Sequence, residues 1–253
     1  MKLVRGAWKL LVGIKDGLVL IAMLLFFGTL FAALSSRPNS GAIKDGALVL
    51  DLAGVIVEQP AEAEFNFGGD NGPREIRLRD LVRVIDAAKD DKRVKAIVLD
   101  LDSFAGGYPA AVSEVATALG RVRTSGKPVL AYATGYTDSG YRLAANATEI
   151  WMNPMGSTLF TGPGGSQLYY KGLIEKLGVN VHVYRVGKFK SFVEPYTRTD
   201  QSPEARAASE ALYGSLLTDW KESVAKARPK AQSAQFLATP GVLVSATKGD
   251  IAA

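Results

Sequence analysis

Cysteine is absent from the 253 residues, and histidine occurs once, as His182. The first absence excludes disulfide staples, thiolate metal sites and a cysteine nucleophile. The second leaves a metal site to carboxylates alone and any serine–histidine pair to His182. That histidine sits in the alternating stretch Val179-Asn180-Val181-His182-Val183-Tyr184-Arg185 and reads as a structural strand residue. Neither glycine-rich nucleotide fingerprint is met, so no cofactor is expected, and no metal. Low-complexity tracts are also lacking. At 47% hydrophobic and 22% charged residues, the chain has the composition of a globular protein with a sizeable core.

What is present is a modest positive excess, +5, and its distribution matters more than its size. Lys2, Arg5, Lys9 and Lys15 against Asp16 put three net positive charges ahead of the first apolar run. No basic stripe with interleaved aromatics follows, so nucleic acid is not an expected partner. From Gly17 to Leu34 there are eighteen uncharged residues rich in Leu, Ile, Val, Met and Phe. At about 1.5 Å per residue that is just enough to cross most of a bilayer core. The basic flank stays in the cytoplasm by the positive-inside rule, so the folded part is expected on the periplasmic or extracytoplasmic side of a bacterial inner membrane, held by a single pass. A cleaved signal peptide is the alternative, with Ala33-Leu34-Ser35 as a loose cleavage site, but its apolar run would be about 7–15 residues. The expected division is a basic tail over 1–16, an anchor over 17–34, a polar linker over 35–46 and a folded repeat over 47–253. Nothing after Pro229 reads as a closing element, so the repeat is expected to stop short of its natural end.

Within the folded part the pattern alternates. Strands are expected at Ala47–Leu52, Val94–Leu101, Pro128–Ala133, Glu149–Met152 and Val179–Val186. Helices are expected where Leu78, Leu81, Val82, Ile85 and Ala88 repeat, where Val112, Val115, Ala116, Leu119 and Val122 repeat, around Tyr141–Ala145 and over Leu168–Leu177. A long helix opens at Ser202-Pro203-Glu204, with Ser202 as cap and Pro203 in the first position, and ends before Pro229. The fold class is α/β, a layered parallel-sheet domain preceded by one transmembrane helix.

Parallel sheets place chemistry in the turns after their strands. Three turns qualify. Asp102-Ser103-Phe104-Ala105-Gly106-Gly107-Tyr108-Pro109 has adjacent glycines at the expected start of a helix, either a tight turn or backbone N–H hardware for an anion. Tyr136-Thr137-Asp138-Ser139-Gly140-Tyr141 places a serine at a strand-to-helix junction, where Asp138 or Ser139 caps the helix or Ser139 serves as a nucleophile. Val186-Gly187-Lys188-Phe189-Lys190-Ser191-Phe192-Val193-Glu194-Pro195 holds either a lysine that Phe189, Phe192 and Val193 desolvate, with a lowered pKa, or two exposed lysines on a loop, and spacing alone favours the loop. Moving a lysine from about 10.4 to the 7–8 of a useful base takes roughly 4 kcal/mol.

Taken in order, these segments resemble signal peptide peptidase A in its long, two-repeat form. The resemblance is carried by Leu48–Gly54, Val94–Asp100, Ser103–Gly107, Gly126–Val129, Trp151–Gly156 and Tyr169–Leu173. Its most specific block is Tyr184-Arg185-Val186-Gly187-Lys188-Phe189-Lys190-Ser191-Phe192-Val193-Glu194-Pro195-Tyr196, followed by Ser202–Arg206. The resemblance implies a fold similar to the Clp protease and crotonase superfamily, and a membrane-bound serine/lysine endopeptidase acting on signal peptides and other membrane-derived peptides. It also implies a homo-oligomer. In that family the amino-terminal repeat supplies a lysine general base and the carboxyl-terminal repeat the serine. The family pattern Tyr-Lys-Ser-x-Val-Glu-Pro puts the lysine on Lys190, with Phe189 replacing the tyrosine, and makes Lys188 the lesser candidate. Its nucleophile pattern, Ala-Ala-Ser-Gly-Gly-Tyr, is broken: matching its tyrosine to Tyr141 places Asp138 at the nucleophile position and Ser139 one residue late. Ser103-Phe104-Ala105-Gly106-Gly107 likewise stands where active repeats have Asn-Ser-Pro-Gly-Gly. Two alternatives stay open, a short-form enzyme pairing Ser139 with Lys190 and a non-catalytic membrane-anchored scaffold.

Overall fold

The computed structural model describes residues 2–35, 45–61, 73–231, 233–239, 241, 242 and 245. The chain forms two units, Met1–Lys44 and Asp45–Ala253. In the first, α1 (Lys2–Ser35) is one unbroken helix. It starts well ahead of the expected boundary at Gly17, because residues 2–16 hold no proline and are rich in good helix formers. Its Trp8–Ser35 stretch, 28 residues of mean hydropathy 2.5, is long and apolar enough to cross a membrane. The expected linker falls almost wholly on residues 36–44, outside the described residues.

The second unit runs β1 (Gly46–Asp51), β2 (Gly54–Val57), β3 (Glu75–Arg77), α2 (Leu78–Asp90), β4 (Val94–Asp100), β5 (Phe104–Gly107), α3 (Pro109–Thr124), β6 (Val129–Ala133), β7 (Tyr136–Thr137), α4 (Asp138–Ala144), β8 (Glu149–Met152), β9 (Thr158–Leu159), α5 (Lys171–Lys176), α6 (Glu194–Thr197), α7 (Pro203–Ala227) and α8 (Ser233–Ala238). A four-stranded sheet has the order β1-β4-β6-β8, a three-stranded sheet β3-β2-β5, and β7 pairs with β9. Every pair is parallel. Parallel neighbours cannot be joined by a tight hairpin, so helices must carry the crossovers between them. The layered α/β class read from the sequence is the class observed.

The hydrophobic periods become burial directly. Leu78, Leu81, Ile85 and Ala88 form the buried face of α2, and Val112, Val115, Ala116, Leu119 and Val122 that of α3. They close on Ile97, Leu99, Val129 and Ala131 of the central strands, all fully buried. Each such Ile, Leu or Val contributes about 1.5–3 kcal/mol relative to exposure. Two ion pairs bracket the helix pair, Arg79 to Glu114 at 2.7 Å and Arg121 to Asp86 at 2.7 Å.

The long helix α7 begins as expected: the Ser202 hydroxyl accepts from the Ala205 N–H at 3.1 Å, and Pro203 takes the first turn. Its Trp220 and Val224 pack with Ala145 as a small second core. Beyond its end, the Arg228 guanidinium donates to the carbonyls of Ala145, Ala147 and Thr148.

Three expectations are corrected. Val179–Val186 forms no strand: its apolar residues alternate, but no described strand pairs with it, and an extended segment without a partner cannot satisfy its backbone groups within a sheet. His182, read as a strand residue, is accordingly exposed in irregular chain. The helix expected over Leu168–Leu177 shrinks to the six residues of α5, none of them buried. Gly106 and Gly107 do not open a helix; they lie in β5, in register with Val55 and Ile56 of β2, and α3 starts at Pro109.

Candidate active site

The junction between β7 and α4 is built tightly. Thr137 caps α4, its hydroxyl accepting from the Gly140 N–H at 3.4 Å, so neither Asp138 nor Ser139 is the cap. Asp138 is occupied elsewhere. Its carboxylate accepts from the Thr161 N–H at 3.0 Å, the Thr161 hydroxyl at 3.3 Å and the Gly162 N–H at 3.3 Å. Its carbonyl accepts from the Trp220 indole N–H at 2.8 Å. Asp138 is therefore a clamp between α4, the chain after β9, and α7.

Ser139 is half-buried, on the wall of a cavity of about 220 Å³ that Pro109, Val112, Leu217 and Trp220 also line. Gly106, in the left-handed region at φ +93, faces it: a Cβ added there would stand 3.5 Å from Ser139 Oγ. Two of the three turns picked from the sequence thus meet. No base meets them. The Arg142 side chain on the same wall is buried and paired with Asp219 at 2.7 Å, and it donates to Ser113 Oγ at 2.8 Å. Tyr141 packs against Phe160 and Trp220, with ring centroids at 5.1 and 6.3 Å, and burial raises its pKa, which keeps the phenol protonated.

The third turn lies apart from this cavity. Ser191 and Phe192 line a different one, of about 640 Å³, with Tyr169, Tyr170, Tyr196 and Tyr213; Ser139 is not on its walls, and Lys190 lines neither cavity. Lys190 is exposed. The aromatic neighbours expected to desolvate it are themselves 65% exposed at Phe189 and 86% at Phe192, so the described residues do not supply the apolar cover.

Sequence reasoning missed how that turn is held. Glu194, buried at the head of α6, accepts from the Ser202 hydroxyl at 2.5 Å and the Ser202 N–H at 3.1 Å. Burial works to raise its pKa, but the Ser202 hydrogen bonds, with Arg198 and Arg185 nearby, hold the carboxyl below the ordinary glutamate value. The signal was a glutamate directly before a proline and eight residues ahead of a helix cap, which spacing alone does not distinguish from a surface residue.

The model of peptidase family S49 matches residues 121–248, half of the chain, from the end of α3 through the Lys190 turn and α7. The chain belongs to peptidase family S49. Among its relatives, Protease 4 of Haemophilus influenzae is 35% identical over 90% of this chain, and Protease 4 of Salmonella typhi 36% identical over 88%. The chloroplastic serine protease SPPA of Arabidopsis thaliana is 24% identical over 89%. The chain spans well under half the length of these relatives, 38% of each bacterial protein and 30% of the plant one. An enoyl-CoA hydratase/isomerase family protein from Silicibacter pomeroyi aligns in structure over 69% of this chain and 88% of its own, at 16% identity and a TM-score of 0.27. So low a score carries no argument. The S49 assignment rests on the sequence match and the α/β class on the strand order above.

Proposed function

We propose that this chain is the amino-terminal repeat of a membrane-bound serine endopeptidase, that it contributes Lys190 as the general base, and that the serine belongs to a second repeat. The observation that supports this most is the division of the site. The nucleophile position holds Asp138, which is fully engaged as a clamp, whereas the lysine-bearing block keeps the family pattern from Lys190 to Pro195. In the reaction the neutral Lys190 amine takes the proton of the serine hydroxyl as its oxygen attacks the scissile carbonyl. The resulting ammonium returns that proton to the departing amine. An ordinary lysine is almost wholly protonated at neutral pH, so the amine must be desolvated.

Exposed Tyr184, Val186, Phe189 and Phe192 around Lys190 form an apolar apron without cover among the described residues. Cover by the second repeat or a neighbouring protomer would bury the apron and the amine together, which supports a homo-oligomer. The substrates are signal peptides and other membrane-derived peptides, delivered by the bilayer in which α1 anchors the protein. The basic residues Lys2–Lys15 stay in the cytoplasm and the folded unit lies on the periplasmic side. Protease added to spheroplasts then digests the folded unit, and its protection would reverse this orientation.

The short-form alternative draws on one observation, the approach of Ser139 to Gly106. The chain ending at Ala253, assayed on casein and a signal-peptide substrate, decides between them. It is expected to be inert. Cleavage that Ser139→Ala abolishes would overturn the two-repeat reading.

A further inference from the structure

The Lys190 turn is tied to the rest of the unit through one guanidinium. Arg185 Nη1 donates to the carbonyl of Lys190 at 3.1 Å, and the same nitrogen stands 3.8 Å from Glu194 Oε1. Glu194 is buried, its carboxylate held by the hydroxyl and N–H of Ser202, and Ser202 caps the 25-residue helix α7. The Glu194 N–H in turn donates to the carbonyl of Ser191 at 2.9 Å, so the residue following the lysine is fixed from the same point. A continuous path therefore runs from a rigid helix end, through a buried carboxylate and a half-exposed arginine, to the main chain of Lys190. The turn has few other holds: Phe189, Lys190 and Phe192 are all exposed.

We propose that Arg185 and Glu194 are positioning residues that fix the backbone of Lys190 and thereby the direction in which its side chain leaves the turn. This rests on Lys190 being the base. A misdirected amine reaches the serine less often, while the peptide-binding surface is unchanged, so the loss falls on kcat. The arginine fork matters because it holds one carbonyl while facing a carboxylate; lysine keeps the charge but not the fixed geometry.

The test uses the full-length, detergent-solubilised protein and a fluorogenic signal-peptide substrate, with Arg185→Gln, Arg185→Lys, Glu194→Gln and Lys190→Ala measured side by side. Arg185→Gln and Glu194→Gln are expected to lower kcat tenfold or more with KM within about twofold of the parent. Arg185→Lys is expected to recover part of that loss. Because Glu194 is buried at a helix cap, Glu194→Gln can fail to fold. Arg185 is half-exposed, so Arg185→Gln then decides alone, with circular dichroism confirming a parent-like fold. A folded Arg185→Gln protein with kcat within twofold of the parent overturns the positioning role, as does a loss confined to KM. If Lys190→Ala retains full activity, the lysine assignment fails first and the positioning role falls with it. An inactive Lys190→Ala beside a fully active Arg185→Gln refutes the positioning role alone.

Discussion

Trp220 fastens α7 to the strand-to-helix junction that carries Asp138 and Ser139, and its replacement separates two contributions. Its side chain is 6% exposed and packs against Phe160 and Tyr141, and its indole N–H donates to the Asp138 carbonyl at 2.8 Å. Trp220→Ala removes the ring and leaves a cavity, a change that costs about 3–5 kcal/mol. Trp220→Phe keeps most of the apolar burial and loses the donor, leaving the carbonyl short of a partner at about 1–3 kcal/mol. With a urea dependence of about 2 kcal/mol per molar, the midpoints should fall by about 1.5–2.5 M and 0.5–1.5 M respectively. Far-ultraviolet circular dichroism of the solubilised protein reports the transition in parent and variants alike. Trp151 is 60% exposed and Trp8 opens the apolar stretch of α1, so the loss of blue-shifted emission common to both variants, taken against the parent, reports Trp220. A Trp220→Ala midpoint within about 0.3 M of the parent would refute the docking of α7 described here.

Gly156→Ala should destabilise by about 3 kcal/mol or more, since a Cβ there would lie 1.5 Å from the Thr134 carbonyl oxygen and the main chain between β6 and β7 would have to move; thermal melting of the variant checks this. Acid stability should depend on Glu194. Its folded pKa lies below its ordinary value of 4.5, so the stabilisation is complete above that value and is lost as pH falls through the lower folded one. Urea midpoints measured from pH 6 to pH 3 should drop for the parent and drop less for Glu194→Gln. Equal slopes would remove the carboxylate from the acid transition.

The layered sheet was legible because its signals are local. β1, β4, β6 and β8 are short apolar runs bounded by turns, and α2 and α3 repeat at helical spacing, so burial follows from period alone. The cap at Ser202 was legible for the same reason. Val179–Val186 misled because alternation states what a strand would bury, not whether a partner strand exists, and none pairs with it among the described residues. The cap at Thr137 lay one residue ahead of the two considered. The clamp formed by Asp138, Thr161 and Trp220 joins residues up to 82 positions apart, which no spacing rule reaches. Family likeness singled out Lys190 as a candidate, and the structure adds that Phe189 and Phe192 beside it are exposed.

The central claim, that this repeat provides the base and not the nucleophile, is tested most directly by peptidase turnover in the full-length protein carrying Lys190→Ala, Lys188→Ala or Ser139→Ala. Lys190→Ala should abolish cleavage while folding and membrane insertion persist, and Lys188→Ala and Ser139→Ala should keep most of it. Parent-like turnover by Lys190→Ala, or its loss in Ser139→Ala, would contradict the account.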